Sequence, residues 1–187
     1  MTDDHLRLFA AAVADADRII AGITPAQLDD PTPCAEWDVR TLLNHLVGGN
    51  RMFLAMARDE PMPDRSRPFI GDDPLAAFRA SAADLTEAFS APGFAESTVT
   101  TMWFGEVSGR ALVGMRRNEH LLHGWDLAVA TAQPRDFDPA VVAAAAEGLR
   151  ARPIPRGGGH MFAEEQPVPA GASEVDALAA FTGRRVP

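Results

Sequence analysis

The chain contains no lysine and no tyrosine among its 187 residues, so all 17 of its basic residues are arginine. Without lysine there can be no Schiff base on a lysine amine and no phosphate-binding loop of the lysine type. Without tyrosine, no phenol can act as a general acid. These three mechanisms are therefore excluded.

Cysteine, long apolar runs and excess positive charge are also scarce. The single cysteine, Cys34, cannot form an internal disulfide, which agrees with a reducing compartment. No apolar run is long enough to cross a bilayer, and the start Met-Thr-Asp-Asp does not open a signal peptide. We therefore expect a cytoplasmic protein. The formal net charge of −9 argues against a nucleic-acid or membrane partner, since both need a basic surface.

The spacing of apolar residues predicts helices almost throughout the chain. Four long helices are expected at residues 4–21, 38–58, 73–90 and 107–131, and shorter ones at 138–150 and 173–183. Thr24 to Gln27 has the form of a capping box. Only Ser97–Phe104 has the β-branched and aromatic content of a strand, and it is expected to be irregular or a short isolated strand.

The apolar fraction of 47% and the charged fraction of 23% are those of one globular domain. The predicted elements favour an all-α four-helix bundle, with short extra helices and a C-terminal tail. We expect residues 1–151 to form the bundle. Residues 152–187 are expected to form a Gly/Pro-rich loop and a short helix that packs on the same domain.

Glu119 and His123 lie four residues apart in the fourth predicted helix, so their side chains leave one face about a turn apart. A carboxylate oxygen and an imidazole nitrogen so placed can bind one metal ion together. His45, at the edge of the apolar face of the second predicted helix, can supply a third ligand. We predict a His45/Glu119/His123 triad that holds a divalent metal with an open coordination position. The alternative is a helix-surface pair, the commoner meaning of this spacing by itself.

Other histidines and the tryptophans have less specific interpretations. His120 points about 100° away from the pair on a helix, so it is expected to be exposed or interhelical. His5 is expected to be solvated. His160 follows three glycines and is either an ordinary loop residue, or a lid or fourth ligand at the mouth of the bundle. Trp37 and Trp125 are expected in the core or in the wall of a cleft.

Several polar residues have two readings each. Cys34 is either a packed structural cysteine or a nucleophile. Asn44 and Asp126 are candidates to orient a ligand histidine, although the position of Asp126 is equally typical of an exposed ion pair. Arg51 and Arg116 are either solvated or able to bind an anionic substrate near the metal.

Three motifs resemble a known family. They are TPCAEWDVR at residues 32–40, LNHLVGG at 43–49 and HGWDLA at 123–128. They are similar to the actinobacterial metal-binding proteins related to mycothiol-dependent maleylpyruvate isomerase, within the DinB-like superfamily. The likeness continues in the tail, from PVP at 167–169 to residues 178–183, and so spans nearly the whole chain.

The resemblance implies an up-down-down-up DinB-like bundle with a divalent metal, usually zinc or nickel. The family's histidine, glutamate and histidine fall on His45, Glu119 and His123. It also implies metal-assisted chemistry of a low-molecular-weight thiol, which is mycothiol in the characterised members. Nothing beyond the short tail matches the additional C-terminal domain of the isomerase-type members. Dimerisation is common among the relatives, so a homodimer is an expectation.

We therefore predict a zinc- or nickel-dependent enzyme that uses a mycothiol-like thiol to transfer to, or isomerise, a small electrophile. The alternative is a non-catalytic DinB-like protein that binds a metal or a small ligand in the same pocket. A third reading is a bundle whose triad is only a buried polar cluster.

Overall fold

The structure is a computed structural model that describes residues 4–66, 68–102, 104–151, 155–157 and 162–187. Within these residues the chain forms six α-helices and one β-hairpin, so the predicted all-α class is confirmed. The helices are α1 (Asp4–Ala21), α2 (Val39–Arg58), α3 (Pro74–Phe89), α4 (Gly109–Ala130), α5 (Pro139–Arg150) and α6 (Glu174–Phe181). The strands are β1 (Thr98–Thr101) and β2 (Gly105–Ser108), and short 3-10 turns cover Pro25–Gln27 and Phe94–Glu96.

Side-chain caps explain where the helices begin. The side chain of the residue before each helix from α2 to α6 accepts a hydrogen bond from a backbone N–H of the first turn, which would otherwise lack a partner. The caps are Asp38, Asp73, Ser108, Asp138 and Ser173. The capping box predicted at Thr24–Gln27 is also present.

The prediction for the start of α4 was two residues too early. Residues 105–108 belong to β2, which pairs antiparallel with β1 in the register Thr98↔Ser108 to Thr101↔Gly105. Val107 therefore faces Val99 across the hairpin, and the helix begins only after Ser108 caps it. The segment at 97–104 contains a short strand, as expected, but that strand is paired and not isolated.

The four long helices form the bundle. Helix α1 packs on α3 and α4, and α2 packs on the same two helices, so α1 and α2 lie diagonally opposite. One core cluster joins these helices to α5 and to α6, which contributes Val175, Leu178 and Ala179. A second cluster lies near the hairpin and contains Phe9, Phe53, Leu85, Phe89, Phe94 and Leu112, among others. No helix of the described residues is both long and apolar enough to cross a membrane.

Two adjacent glycines in α2, Gly48 and Gly49, let other groups approach the helix closely. A Cβ placed on Gly48 would lie 2.7 Å from the Phe69 ring, and one on Gly49 would lie 2.5 Å from Nη1 of Arg116. The Arg116 side chain is fully buried and fixed by several hydrogen bonds, so it cannot swing aside. The absence of a side chain at Gly49 thus makes room for a buried guanidinium.

We expect Gly49→Ala to destabilise the protein by roughly 1–3 kcal/mol, because overpacking at a fixed neighbour outweighs the gain in helix propensity. Gly114→Ala is the matched control, since a Cβ at that helical glycine meets nothing within 4 Å. The control should stabilise α4 by about 0.5–1 kcal/mol. Urea unfolding of both variants measures the difference, and a Gly49→Ala variant as stable as the control would contradict the account.

Candidate metal centre

The structure brings the three predicted ligands together where α2 meets α4. Nε2 of His45 lies 3.2 Å from Oε2 of Glu119, and Nε2 of His123 lies 4.0 Å from the same oxygen. The two imidazole rings meet edge to face, with their centroids 4.8 Å apart. Candidate donor atoms from all three residues lie within 4.8 Å of one another. The triad is therefore one cluster, built from residues that are 74 positions apart along the chain.

This donor set fits a divalent metal. Two ligand atoms about 2.0–2.2 Å from one tetrahedral zinc ion lie about 3.3–3.6 Å apart, close to the separations found here. Two imidazole nitrogens and a carboxylate oxygen suit zinc or nickel. The side chain of His45 is 32% exposed and that of Glu119 is 27% exposed, so a small molecule can reach the cluster from solvent.

Glu119 is held as a carboxylate. Burial by itself would raise its pKa, but the hydrogen bond from His45 and the neighbouring positive groups, Arg116 among them, outweigh burial and leave the pKa well below its usual range. Nη1 of Arg116 donates to Oε2 of Glu119 over 3.3 Å. Burial lowers the pKa of Arg116 to about 10, which still leaves it charged at neutral pH. Glu119, a candidate metal ligand, therefore keeps its negative charge across the physiological range.

His45 is suited to bind a metal as a neutral imidazole. Burial lowers its pKa, although the hydrogen bond with Glu119 opposes the shift. The Trp37 ring lies beside both histidines, with its centroid 4.7 Å from that of His45 and 6.0 Å from that of His123. Trp37 is partly exposed and also packs against the core cluster, so it lies at the edge of the core beside the triad. A neutral imidazole is the form that a divalent metal requires.

Asp126 orients His123, which is one of the two roles predicted for it. Its Oδ2 lies 3.0 Å from Nδ1 of His123, and its side chain is fully buried, which excludes the exposed ion pair. Burial would raise the pKa of this carboxyl, but the charge of Arg184 and hydrogen bonds from His123 and Arg184 lower it to about 2. An ionised carboxylate only accepts hydrogen bonds, so Nδ1 of His123 carries the proton. Nε2 of His123 is then the ring nitrogen on the side of Glu119, 4.0 Å from its Oε2.

A second group of candidate ligands, Cys34, His123 and Asp126, lies within the same distance limit. Three features disfavour a metal there. Both oxygens of Asp126 already accept hydrogen bonds from Arg184, and His123 faces Asp126 with its protonated nitrogen. Burial, followed by the charge of Asp126, also raises the pKa of the Cys34 thiol to about 12. A thiol that keeps its proton is a poor metal ligand.

A polar network beneath the triad was not predicted from the sequence, which left Arg116 either solvated or able to bind an anionic substrate. Arg116 is fully buried and donates from Nε to Oδ1 of Asn50 over 2.8 Å. The same oxygen accepts from Nε2 of His120 over 2.9 Å, and the Asn50 amide donates to the Ser81 hydroxyl. His120 is thus interhelical and fully buried, which decides between the two places expected for it.

The remaining candidates lie away from the triad. The side-chain oxygen of Asn44 accepts from the Phe69 N–H over 2.6 Å, so it does not face His45 as an orienting group. Trp125 is buried and donates to Asp176. Arg51 is exposed and stacks on Phe69.

The other two histidines have different outcomes. His5 is partly buried, and its Nδ1 lies 3.1 Å from Nη1 of Arg110, which corrects the solvated position expected for it. His160 falls outside the described residues, so its predicted roles remain predictions.

Comparison with known proteins points to one family. Residues 9–128 match the model described as the mycothiol maleylpyruvate isomerase N-terminal domain, a stretch that includes all three triad residues. Two uncharacterized proteins from two strains of Mycobacterium tuberculosis are each 41% identical over 170 residues, which is 90% of this chain and 91% of theirs.

The fold also matches a solved structure, that of a histidine-to-alanine mutant of the mycothiol-dependent maleylpyruvate isomerase. The TM-score is 0.64, and the match covers 79% of this chain and 68% of that chain at 16% identity, so it shows the fold alone. The bundle predicted from the sequence is the fold of the matched part of that enzyme. The family model covers well over half of the chain, and the protein therefore belongs to the mycothiol maleylpyruvate isomerase N-terminal domain family.

Proposed function

We propose that this protein is a divalent-metal-dependent enzyme that uses a low-molecular-weight thiol of the mycothiol type to transfer to, or isomerise, a small electrophile. His45, Glu119 and His123 would hold the metal, which is zinc or, as the alternative, nickel. The observation that carries the proposal is the convergence of these three side chains at a place that solvent can reach. The family, whose description names mycothiol, supports the choice of thiol.

The chain's own residues prepare the site for a cation and a thiol. The hydrogen bond with His45 and the charge of Arg116 keep Glu119 ionised, so the site offers a negative ligand. Asp126 fixes the orientation of His123, and the Trp37 ring packs beside both imidazoles. A bound divalent metal would supply the positive charge that lets a thiol lose its proton near neutral pH. Because the side chains of His45 and Glu119 are partly exposed, a metal held there would be accessible to the thiol and the electrophile.

Elemental analysis of the purified, tag-free protein is the first test. We expect close to one zinc or nickel per chain in the wild type and in His5→Ala, and loss of that metal in His45→Ala. The control removes a histidine that lies beside Arg110 and outside the triad. No bound metal in the wild type, even after reconstitution with zinc or nickel, would overturn the proposal.

The metal-loaded protein would then be assayed with a panel of small electrophiles, with and without mycothiol. Turnover that needs both the thiol and the metal is the expected result. The second candidate is a non-catalytic protein that binds a metal or a small ligand. It is favoured by the coverage of the structural match, which leaves part of the isomerase chain without a counterpart. Tight ligand binding without turnover would support this candidate and reject the enzyme.

A further inference from the structure

The segment that follows α6 returns to α4 beside the triad. Arg184 lies three residues beyond the end of α6, and its side chain is only 11% exposed. Its Nε donates to Oδ1 of Asp126 and its Nη2 to Oδ2, both over 2.9 Å. The backbone N–H of Arg184 donates to the Ala179 carbonyl, and Nη1 donates to the Thr182 hydroxyl. Arg184 is therefore itself held in place, and its Nε and Nη2 both donate to the Asp126 carboxylate.

The orientation of the Asp126 carboxylate is fixed by its hydrogen bonds. Its Oδ2 accepts from Nδ1 of His123 over 3.0 Å and from the Cys34 thiol over 3.3 Å, in addition to Arg184. A bidentate arginine fixes the plane of a carboxylate, which a single hydrogen bond does not. The plane of Asp126 in turn sets the direction from which Nδ1 of His123 must approach. The orientation of a candidate metal ligand thus depends on a residue 61 positions farther along the chain.

We propose that Arg184 is a positioning residue for the metal centre, and that through Asp126 it holds His123 with Nε2 directed toward Glu119. The affinity of the triad for a divalent metal then depends on a residue outside the stretch 9–128 that the family model matches. This inference rests on the proposed function, since it requires that the triad binds a metal. Partners that orient a ligand histidine typically contribute about 10–100-fold to metal affinity.

Zinc affinity, measured by competition with a chromophoric chelator near neutral pH, tests the inference. We expect Arg184→Ala to weaken zinc binding by about 10-fold or more. Arg185→Ala is the matched control, because it removes the same charge from an exposed neighbour and should leave affinity unchanged. Arg184→Lys keeps the charge but loses the fork, and it should recover only part of the affinity. If Arg184→Ala binds zinc as tightly as Arg185→Ala, the inference is wrong.

A second readout needs no metal. Long-range proton–nitrogen NMR of the metal-free protein reports which imidazole nitrogen of His123 carries the proton. We expect the Nδ1-protonated form in the wild type and in Arg185→Ala, and a mixture of tautomers in Arg184→Ala. If Arg184 only stabilises the tail, the variant will melt at a lower temperature while its tautomer and its zinc affinity stay those of the control, and the inference is rejected.

The two proposals fail in different ways. A wild type that binds no zinc, or a His45→Ala variant that binds it as tightly as the wild type, would overturn the proposed function, and the inference would fall with it. A wild type that binds zinc through the triad, beside an Arg184→Ala variant that matches its control, would overturn only the inference. If Arg184→Ala does not fold, Arg184→Lys carries the comparison, and wild-type affinity in that variant would reject the bidentate role.

Discussion

Replacement of Glu119 by alanine should abolish metal binding and also destabilise the metal-free protein by about 3 kcal/mol. The second effect comes from Arg116, whose fully buried guanidinium pairs with Glu119 and with no other carboxylate among the described residues. Breaking a buried ion pair by removing one partner leaves the other charge uncompensated, which typically costs about 3–5 kcal/mol. The lower end applies because Glu119 retains 27% exposure and because Asn50 and the Leu46 carbonyl still accept from Arg116.

Urea unfolding of the metal-free proteins measures this effect separately from metal binding. Glu119→Gln keeps an oxygen that can accept from Arg116 but loses the charge, so it should lose the metal with a smaller loss of stability. The double variant Glu119→Ala/Arg116→Met removes the stranded charge and should recover much of the stability without recovering the metal. A Glu119→Ala protein that is as stable as the wild type, or that still holds stoichiometric metal, would refute this account.

The proximity of the two candidate ligands on α4 could be predicted because it depends on local geometry. Glu119 and His123 are neighbours on any helix, whatever packs against it. The position of His45 beside them joins residues 74 positions apart, and sequence spacing alone could not decide it. The edge position of His45 on the apolar face of α2 made the contact reasonable, and the family resemblance identified the same three residues. Because the cluster is formed by two helices, its prediction requires knowledge of how those helices pack.

The network around Arg116 could not be predicted from the pattern of apolar residues. A helical pattern assigns arginine to the solvated face, because burying a charge without partners is unfavourable. Here the partners come from other turns and another helix: Glu119, Asn50 and the Leu46 carbonyl. One signal was present in the sequence, since Gly48 and Gly49 weaken α2 at the level where the guanidinium enters. The glycines alone could not show that the approaching group is the Arg116 guanidinium.

The role of Arg184 was hidden for a related reason. The sequence identified Asp126 as a candidate to orient His123, from its spacing of three residues. The cation that fixes Asp126 lies beyond α6, in a tail that was predicted only as a Gly/Pro-rich loop and a short helix. Gly183 has a φ of 95°, a left-handed conformation that ends α6 and precedes Arg184. The turn after α6 could therefore be predicted from the local sequence. The contact of Arg184 with Asp126 could not, because it depends on how α6 packs.

Cys34 should react with iodoacetamide at least about a hundredfold more slowly in the native protein than in the unfolded chain, at mildly alkaline pH. Burial, followed by the charge of Asp126, raises the pKa of its thiol from 9.0 to about 12, which lowers the thiolate fraction by about a thousandfold. Mass spectrometry of timed samples measures both rates on the only cysteine of the chain. A native rate close to the unfolded rate would restore the nucleophile interpretation.

The same shift predicts a pH dependence of stability. Because folding raises the thiol pKa, the native state holds this proton more tightly than the unfolded state does. The tighter binding of this proton by the native state contributes to the free energy of unfolding. This contribution is fully present below about pH 9 and is lost as the pH rises from 9.0 toward 12. Cys34→Ala should lack this decline while keeping the metal. An unchanged decline in Cys34→Ala would assign it to other groups.

An unreactive Cys34 also bears on where the reacting thiol comes from. Cys34 lies beside Asp126, on the side of His123 that faces away from Glu119, and its thiol donates to the carboxylate that orients that histidine. A protonated, hydrogen-bonded thiol in that place would help to orient His123 without taking part in the proposed chemistry. Thiol-dependent turnover in Cys34→Ala would then have to use a thiol that enters from solvent, as the proposed function requires. Loss of turnover with the metal retained would instead make Cys34 the reacting thiol.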